Sequence, residues 1–126
     1  MLAQQTLNIN NTNDIINTRM QVREAARLVG LDLGDQARIS LAASSLLEGL
    51  GLGHSVSAAS IAIERLSEEK NTGLRVICTF PDPREHKPVN TVTGNIGWMV
   101  DDIAIHYLAN GQVEIILTKW VVRRQS

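Results

Sequence analysis

One glycine-rich segment has residue types that could bind phosphate. Gly49, Gly51 and Gly53 alternate with leucine, and glycine-rich backbones can turn successive amide groups toward an anion. Phosphate-binding loops of this kind usually follow a strand and open a helix. This segment instead follows a helical pattern, so the sequence favours a helix end and a turn. A ligand contact is the alternative.

Residues that often bind metals or act as acids and bases are scattered along the chain. His54, His86 and His106 are widely separated, and none has a second ligand at helix or hairpin spacing. Asp101 and Asp102 are adjacent, so they cannot share one helix face. The sequence therefore predicts no metal site and no catalytic carboxylate pair.

Residues 14–51 carry the most specific signal: DIINTRMQVREAARLVGLDLGDQARISLAASSLLEGLG. This segment resembles the anti-sigma regulatory serine-protein kinases of the histidine-kinase-like ATPase superfamily. That family reads roughly D-I-x-x-A-R-x-x-x-R-x-x-A-x-x-x-G-F, then D-Q-x-R-I-x-x-A-x-S-E-L-x-x-N. The matching positions are Asp14, Ile15, Arg19, Arg23, Ala26, Gly30, Asp35, Gln36, Arg38, Ile39, Ala43, Ser44 and Leu46.

Two positions that carry the family's chemistry are replaced. The family's glutamate, which helps to activate the attacking group, falls on Ser45. Its asparagine, whose side-chain oxygen holds magnesium against the nucleotide phosphates, falls on Gly49. Magnesium needs hard oxygen ligands, which Gly49 lacks, and a serine hydroxyl is a poor proton acceptor near neutral pH. General-base catalysis is worth roughly 10²–10⁴-fold. We therefore expect no catalytic residues here.

The other nucleotide-binding positions are also incomplete. The resemblance places Phe80 where an aspartate would contact adenine, with Asp82 beyond it, and reduces the phosphate-binding glycine loop to Gly94 and Gly97 within residues 93–97. We expect no cofactor at these positions. The alternative is bound ATP and magnesium, with Asp82 or Asn95 supplying displaced oxygen ligands.

Arg19 and Arg23 are the predicted partner-binding residues. Arg19 lies four residues after Ile15 and three before Val22, at the border of the apolar stripe of a predicted helix. It could be a snorkelling side chain whose stem covers the core. The resemblance implies instead that this helix docks a partner protein.

These observations predict one domain over residues 1–126 that acts as a non-catalytic protein-binding regulator. The resemblance implies a partner such as a sigma factor or an anti-sigma-antagonist domain in a partner-switching system, and a homodimer. An active ATP-dependent serine-protein kinase is the alternative. A net charge of -1 gives no electrostatic footprint for nucleic acid. Without a signal-peptide run or ~20 consecutive apolar residues, we expect a cytoplasmic protein and no membrane partner.

The elements that must position these residues follow from periodicity. The sequence predicts a strand over residues 2–9, a helix that Asn13 or Asp14 caps, that runs to Val29 and that Gly30 ends, and a helix over residues 35–50. Alternating Ala59, Ile61 and Ile63 predict a strand, and a turn at residues 71–73 leads into another that ends near Phe80. Cys78, the only cysteine, should be a small core residue of that strand.

The last third of the chain is predicted to form a loop, a short helix and a hairpin. The loop covers residues 81–88 and the helix residues 96–102. Strands over residues 103–108 and 113–122 should then pair around Asn110-Gly111, a strong hairpin signal. The fold class predicted is a two-layer α/β (α+β) sandwich, with helices on one face of a mixed, mostly antiparallel sheet.

Overall fold

The computed structural model describes residues 4–53, 59–68, 71–83 and 87–122. In chain order the elements are β1 (Gln4–Ile9), α1 (Thr12–Val29), α2 (Leu33–Gly49), β2 (Ala59–Glu68), β3 (Asn71–Pro81), α3 (Lys87–Ile96), a 3-10 turn (Gly97–Met99), β4 (Asp102–Tyr107) and β5 (Gln112–Trp120). The five strands form one sheet in the order β1-β2-β3-β5-β4. Every pairing of neighbours is antiparallel. The predicted α+β class is confirmed, but the described sheet is not mixed.

Buried side chains alternate along the central strands and face the helices. On β3, Val76 and Cys78 are buried, and on β5, Ile115 and Leu117 are fully buried. They belong to one cluster with the buried stripes of α1 and α2. Because successive strand residues point to opposite faces, the helices cover one face of the sheet, and no described element packs on the other, which we call the uncovered face.

The N-cap of α1 is Asn11, two residues before Asn13, the earlier of the two predicted caps. The Asn11 side chain accepts a hydrogen bond from the Asp14 amide at 3.0 Å, and the Asp14 carboxylate accepts one from the Asn11 amide at 3.2 Å. This reciprocal pair is a capping box. Gly30 ends the helix as predicted, in a left-handed conformation with φ 98°, which glycine adopts without strain.

A polar cluster fixes the start of α2 against the sheet. The Lys119 ammonium lies 3.5 Å from the Asp35 carboxylate on α2 and 3.1 Å from the Asp101 carboxylate before β4. Asp101 also accepts a hydrogen bond from the Trp120 amide at 2.7 Å. The Lys119 side chain is only 14% exposed, so this charge depends on its two partners rather than on water. The sequence did not predict this cluster.

The segment after β3 departs most from the sequence prediction. Pro81 belongs to β3 rather than to a loop, and α3 covers Lys87–Ile96, where the helix was expected only from residue 96. Val89, Thr93 and Ile96 form its buried stripe, with the Thr93 hydroxyl donating to the Val89 carbonyl at 3.0 Å. Tertiary packing therefore overrides the low helix propensity of threonine, valine and glycine here.

The β4–β5 hairpin forms as predicted around Asn110 and Gly111. Gly111 has φ 80° and donates its amide to the Leu108 carbonyl at 3.2 Å, while the Leu108 amide donates to Gln112 at 2.8 Å. Among the described residues, no helix is long and apolar enough to cross a membrane.

Candidate functional site

Ser45 and Gly49 lie one turn apart near the end of α2, where α3 packs against that helix. Ser45 is half-buried. A Cβ atom added to Gly49 would lie 2.9 Å from both Cγ carbons of Val92 on α3, well inside the usual carbon contact of about 3.5–4.0 Å. The space that a metal-ligating side chain would need at position 49 is therefore filled by Val92.

Gly94 and Gly97 do not form a glycine loop. Gly94 lies within α3 and Gly97 begins the 3-10 turn. Amides inside a helix donate to carbonyls one turn earlier, so the amide of Gly94 is not aimed at a ligand. A Cβ added to either glycine would meet nothing within 4 Å. Neither glycine is therefore required by a close approach of another part of the described chain.

Phe80 is part of the core rather than of a pocket wall. It is 2% exposed and pairs with Val113 of β5. Two residues later, the Asp82 amide donates to the Gly111 carbonyl at 2.9 Å and ties the end of β3 to the β4–β5 turn. The position that would contact adenine in the resembled family is therefore buried in this chain.

The segment from Gly49 to Gly53 ends α2, as the sequence favoured. The Gly51 amide donates to the Glu48 carbonyl at 3.1 Å and the Leu52 amide to the Leu47 carbonyl at 3.0 Å. Leu52 is buried. These amides satisfy carbonyls at the helix end and are not available to cradle a phosphate.

Arg19 reaches sideways from α1 to α2. Its Nε donates to the Ser44 hydroxyl at 3.2 Å, and its Nη2 lies 3.9 Å from the Glu48 carboxylate. About half of the Arg19 side chain remains exposed. Arg23, one turn later, is exposed and makes no hydrogen bond or ion pair with any residue in the described ranges. The two predicted arginines thus differ: Arg19 links α1 to α2, whereas Arg23 has no partner among the residues that the structure describes.

Two exposed apolar residues accompany these arginines. Ile16 is 49% exposed and Met20 63% exposed. Ile16, Met20 and Arg23 follow one another at four- and three-residue spacing, so they lie along one line of the helix, and Arg19 flanks that line on the α2 side. We call Ile16, Arg19, Met20 and Arg23 the α1 surface. It combines large apolar side chains with cations, which suits contact with another protein.

Sequence reasoning missed the apolar half of the α1 surface. Ile16 and Met20 lie on the helix face away from the buried residues Ile15, Val22 and Ala26. Their four-residue spacing outside the core stripe was the signal that could have identified them.

The other groups considered from the sequence form no shared site. His54 and His86 lie outside the described residues. His106 is exposed on β4, with its Nδ1 3.2 Å from the Glu114 carboxylate. Burial raises the pKa of the Cys78 thiol to about 12, which keeps it protonated and unreactive. No group of three or more His, Cys, Asp or Glu side chains in the described part of the chain could hold a metal ion.

A surface cavity of about 260 Å³ lies between α1 and the β1–β2 edge. Its walls include Gln5, Gln21, Leu28 and Ile63, and Gln5 donates to Gln21 across it at 3.0 Å. None of the positions predicted from the resemblance lines it.

Comparison of the chain with known protein families and with characterised proteins gives no match.

Proposed function

We propose that this chain is a non-catalytic regulator that acts by binding another protein, on a fold of the histidine-kinase-like ATPase type. Its partner is a regulatory protein of the cytoplasm, such as a sigma factor or an anti-sigma-antagonist domain in a partner-switching system. The family resemblance of residues 14–51 motivates this proposal. Placement of α1 and α2 on one face of a five-stranded sheet supports it.

The observation that carries the non-catalytic half of the proposal is the contact between Gly49 and Val92. In the resembled family this position supplies an oxygen to magnesium. Here a Cβ atom alone would be only 2.9 Å from two Val92 carbons, and a full asparagine needs more room than a Cβ. Phosphoryl transfer depends almost entirely on positioning and charge neutralisation. A site that lacks the metal ligand, and in which Val92 stands against position 49, supplies neither.

The α1 surface supports the binding half of the proposal. Arg23 has no partner among the described residues, while Ile16 and Met20 expose apolar area beside it. A partner that covers this surface would place an apolar patch on Ile16 and Met20 and a carboxylate on Arg23. Arg19 is already oriented by Ser44, so less side-chain entropy is lost when it binds a second acceptor.

The test begins with capture of the partner from the native host on the immobilised chain, followed by affinity measurements with purified partner. We expect Arg23→Ala to weaken binding by about 2 kcal/mol, or roughly 30-fold, as for a central charged anchor. Arg27→Ala is the matched control: Arg27 lies one turn after Arg23 along the same line of α1, but its charge already has a partner. Arg27 is paired with Glu24 at 3.0 Å, and this hydrogen bond lowers the pKa of Glu24. Its removal should change the affinity little.

Several outcomes would contradict the proposal. One is the absence of any protein partner, and another is a partner whose affinity is the same for the wild type, Arg23→Ala and Arg19→Ala. Incubation of the captured partner with the chain and Mg-ATP tests the kinase alternative directly. Transfer of phosphate to a serine of the partner would favour that alternative.

A further inference from the structure

The β4 edge of the sheet is a second surface that fits a partner, and it does not depend on the α1 surface. β4 is the last strand in the sheet order, with β5 on one side and no strand from residues 4–53, 59–68, 71–83 or 87–122 on the other. β5 is also the only element of the described chain that contacts β4 extensively. An uncovered edge strand offers unpaired backbone groups to another chain.

The direction of these backbone groups follows from the two ends of the β4–β5 ladder. The Leu108 amide donates to Gln112 at one end, and the Asp101 amide donates to the Thr118 carbonyl, opposite Asp102, at the other. Bonded and non-bonded pairs alternate along an antiparallel ladder. Asp102, Ala104 and His106 therefore bond to β5, and the amides and carbonyls of Ile103 and Ile105 point to the free edge.

The side chains along this edge are self-complementary. The sequence Asp102-Ile103-Ala104-Ile105-His106 has a small residue at its centre, an isoleucine on each side, and an acidic and a basic residue outside them. If two copies pair antiparallel about Ala104, Ile103 lies opposite Ile105 of the second copy. These two residues then exchange two hydrogen bonds, each amide donating to the other's carbonyl. Asp102 then lies opposite His106 of that copy. Cross-strand pairs of β-branched residues stabilise a sheet, and the Asp102 carboxylate can accept a hydrogen bond from the imidazole of His106.

We infer that two copies of this chain associate through their β4 strands about a two-fold axis at Ala104, which joins their sheets into one ten-stranded antiparallel sheet. The half-buried Ile103 and Ile105 become covered on the helix side, and Asp102 of each copy lies opposite His106 of the other on the uncovered side. The opposite edge strand lacks this pattern, because β1 carries only Gln4, Thr6 and Asn8 on its uncovered face. The inference goes beyond the proposed docking function and does not rest on it.

The test is sedimentation velocity from about 5 to about 500 μM, the range in which a small interface would dissociate. We expect a monomer–dimer equilibrium that Ala104→Lys weakens at least tenfold, because two lysines would oppose each other at the axis. Thr6→Lys is the matched control. Thr6 lies on β1, the opposite edge strand. It is in the same row of paired residues as Ala104, because the pairing runs from Ala104 through Ile116, Ile77 and Ala62 to Thr6.

A cysteine at the axis gives a covalent readout. A non-bonded antiparallel pair places its Cα atoms about 4.5 Å apart, which a disulfide can span, so Ala104→Cys should form disulfide-linked dimers under mild oxidation and Thr6→Cys should not. Cys78 is fully buried and will not interfere. A wild-type chain that stays monomeric throughout the range would overturn the inference. Equal effects of the two lysine variants, or equal cross-linking of the two cysteine variants, would also overturn it.

Discussion

Gly49→Ala tests whether α3 fills the space beside α2. Alanine in a helix is ordinarily more stable than glycine by about 0.5–1 kcal/mol, and the gain is at the low end for Gly49 because it is the last residue of α2. Against this, the new Cβ would lie 2.9 Å from both Cγ carbons of Val92, and overpacking of this kind costs about 1–3 kcal/mol. The net expectation is a loss of about 1–2 kcal/mol in the free energy of unfolding.

Urea unfolding followed by circular dichroism measures this change. Gly94→Ala is the control, because it lies in α3 with open space around its Cβ and should stabilise the protein by up to about 1 kcal/mol. Combining Gly49→Ala with Val92→Ala removes the clashing carbons, so the double mutant should be more stable than the sum of the single effects predicts. If Gly49→Ala stabilises the protein as much as Gly94→Ala does, the space beside Gly49 is open and the reasoning fails.

Two further predictions concern buried polar groups. Lys119→Met leaves the carboxylates of Asp35 and Asp101 facing each other without their shared cation, and should lower the free energy of unfolding by about 1–3 kcal/mol, less than for a fully buried pair. Arg38→Met, which removes a half-exposed partner of Asp35, should lower it by less than about 1 kcal/mol; equal losses would contradict the role assigned to Lys119. The second prediction follows from the Cys78 pKa, raised by burial from 9.0 to about 12. Between about pH 9 and pH 12 the folded state retains a thiol proton that the unfolded state loses. The contribution of Cys78 to the free energy of unfolding is therefore complete below about pH 9 and decreases toward pH 12 by up to about 1.4 kcal/mol per pH unit. Chemical denaturation at about pH 8 and pH 10.5 should show a smaller loss of stability in Cys78→Ala than in the wild type, by about 2 kcal/mol; equal losses would contradict the assigned pKa.

The sequence predicted those elements whose signals are local. The buried stripe of α1 and Gly30 at its end identified the first helix, and Asn110-Gly111 identified the β4–β5 hairpin. The start of α1 was misplaced because several polar residues precede it and any of them could cap a helix. Only the reciprocal bonds between Asn11 and Asp14 single out one of them.

Other features depend on contacts between residues far apart in the sequence. The helical spacing of Val89, Thr93 and Ile96 was present, but β-branched residues and Gly94 favoured other structures locally. The approach of Val92 to Gly49 becomes visible only once α3 is in place. Likewise, Arg19 looked like a residue at the border of a core stripe, and its bond to Ser44 follows from the packing of α1 on α2.

Calorimetric titration of the chain with Mg-ATP tests the central claim most directly. The approach of Val92 to Gly49, the burial of Phe80 and the absence of a magnesium-binding side chain at position 49 predict no saturable heat and no rise in melting temperature at millimolar nucleotide. Saturable binding with a dissociation constant of ~10 μM, equivalent to roughly 7 kcal/mol, would contradict the account of a non-catalytic protein-binding regulator.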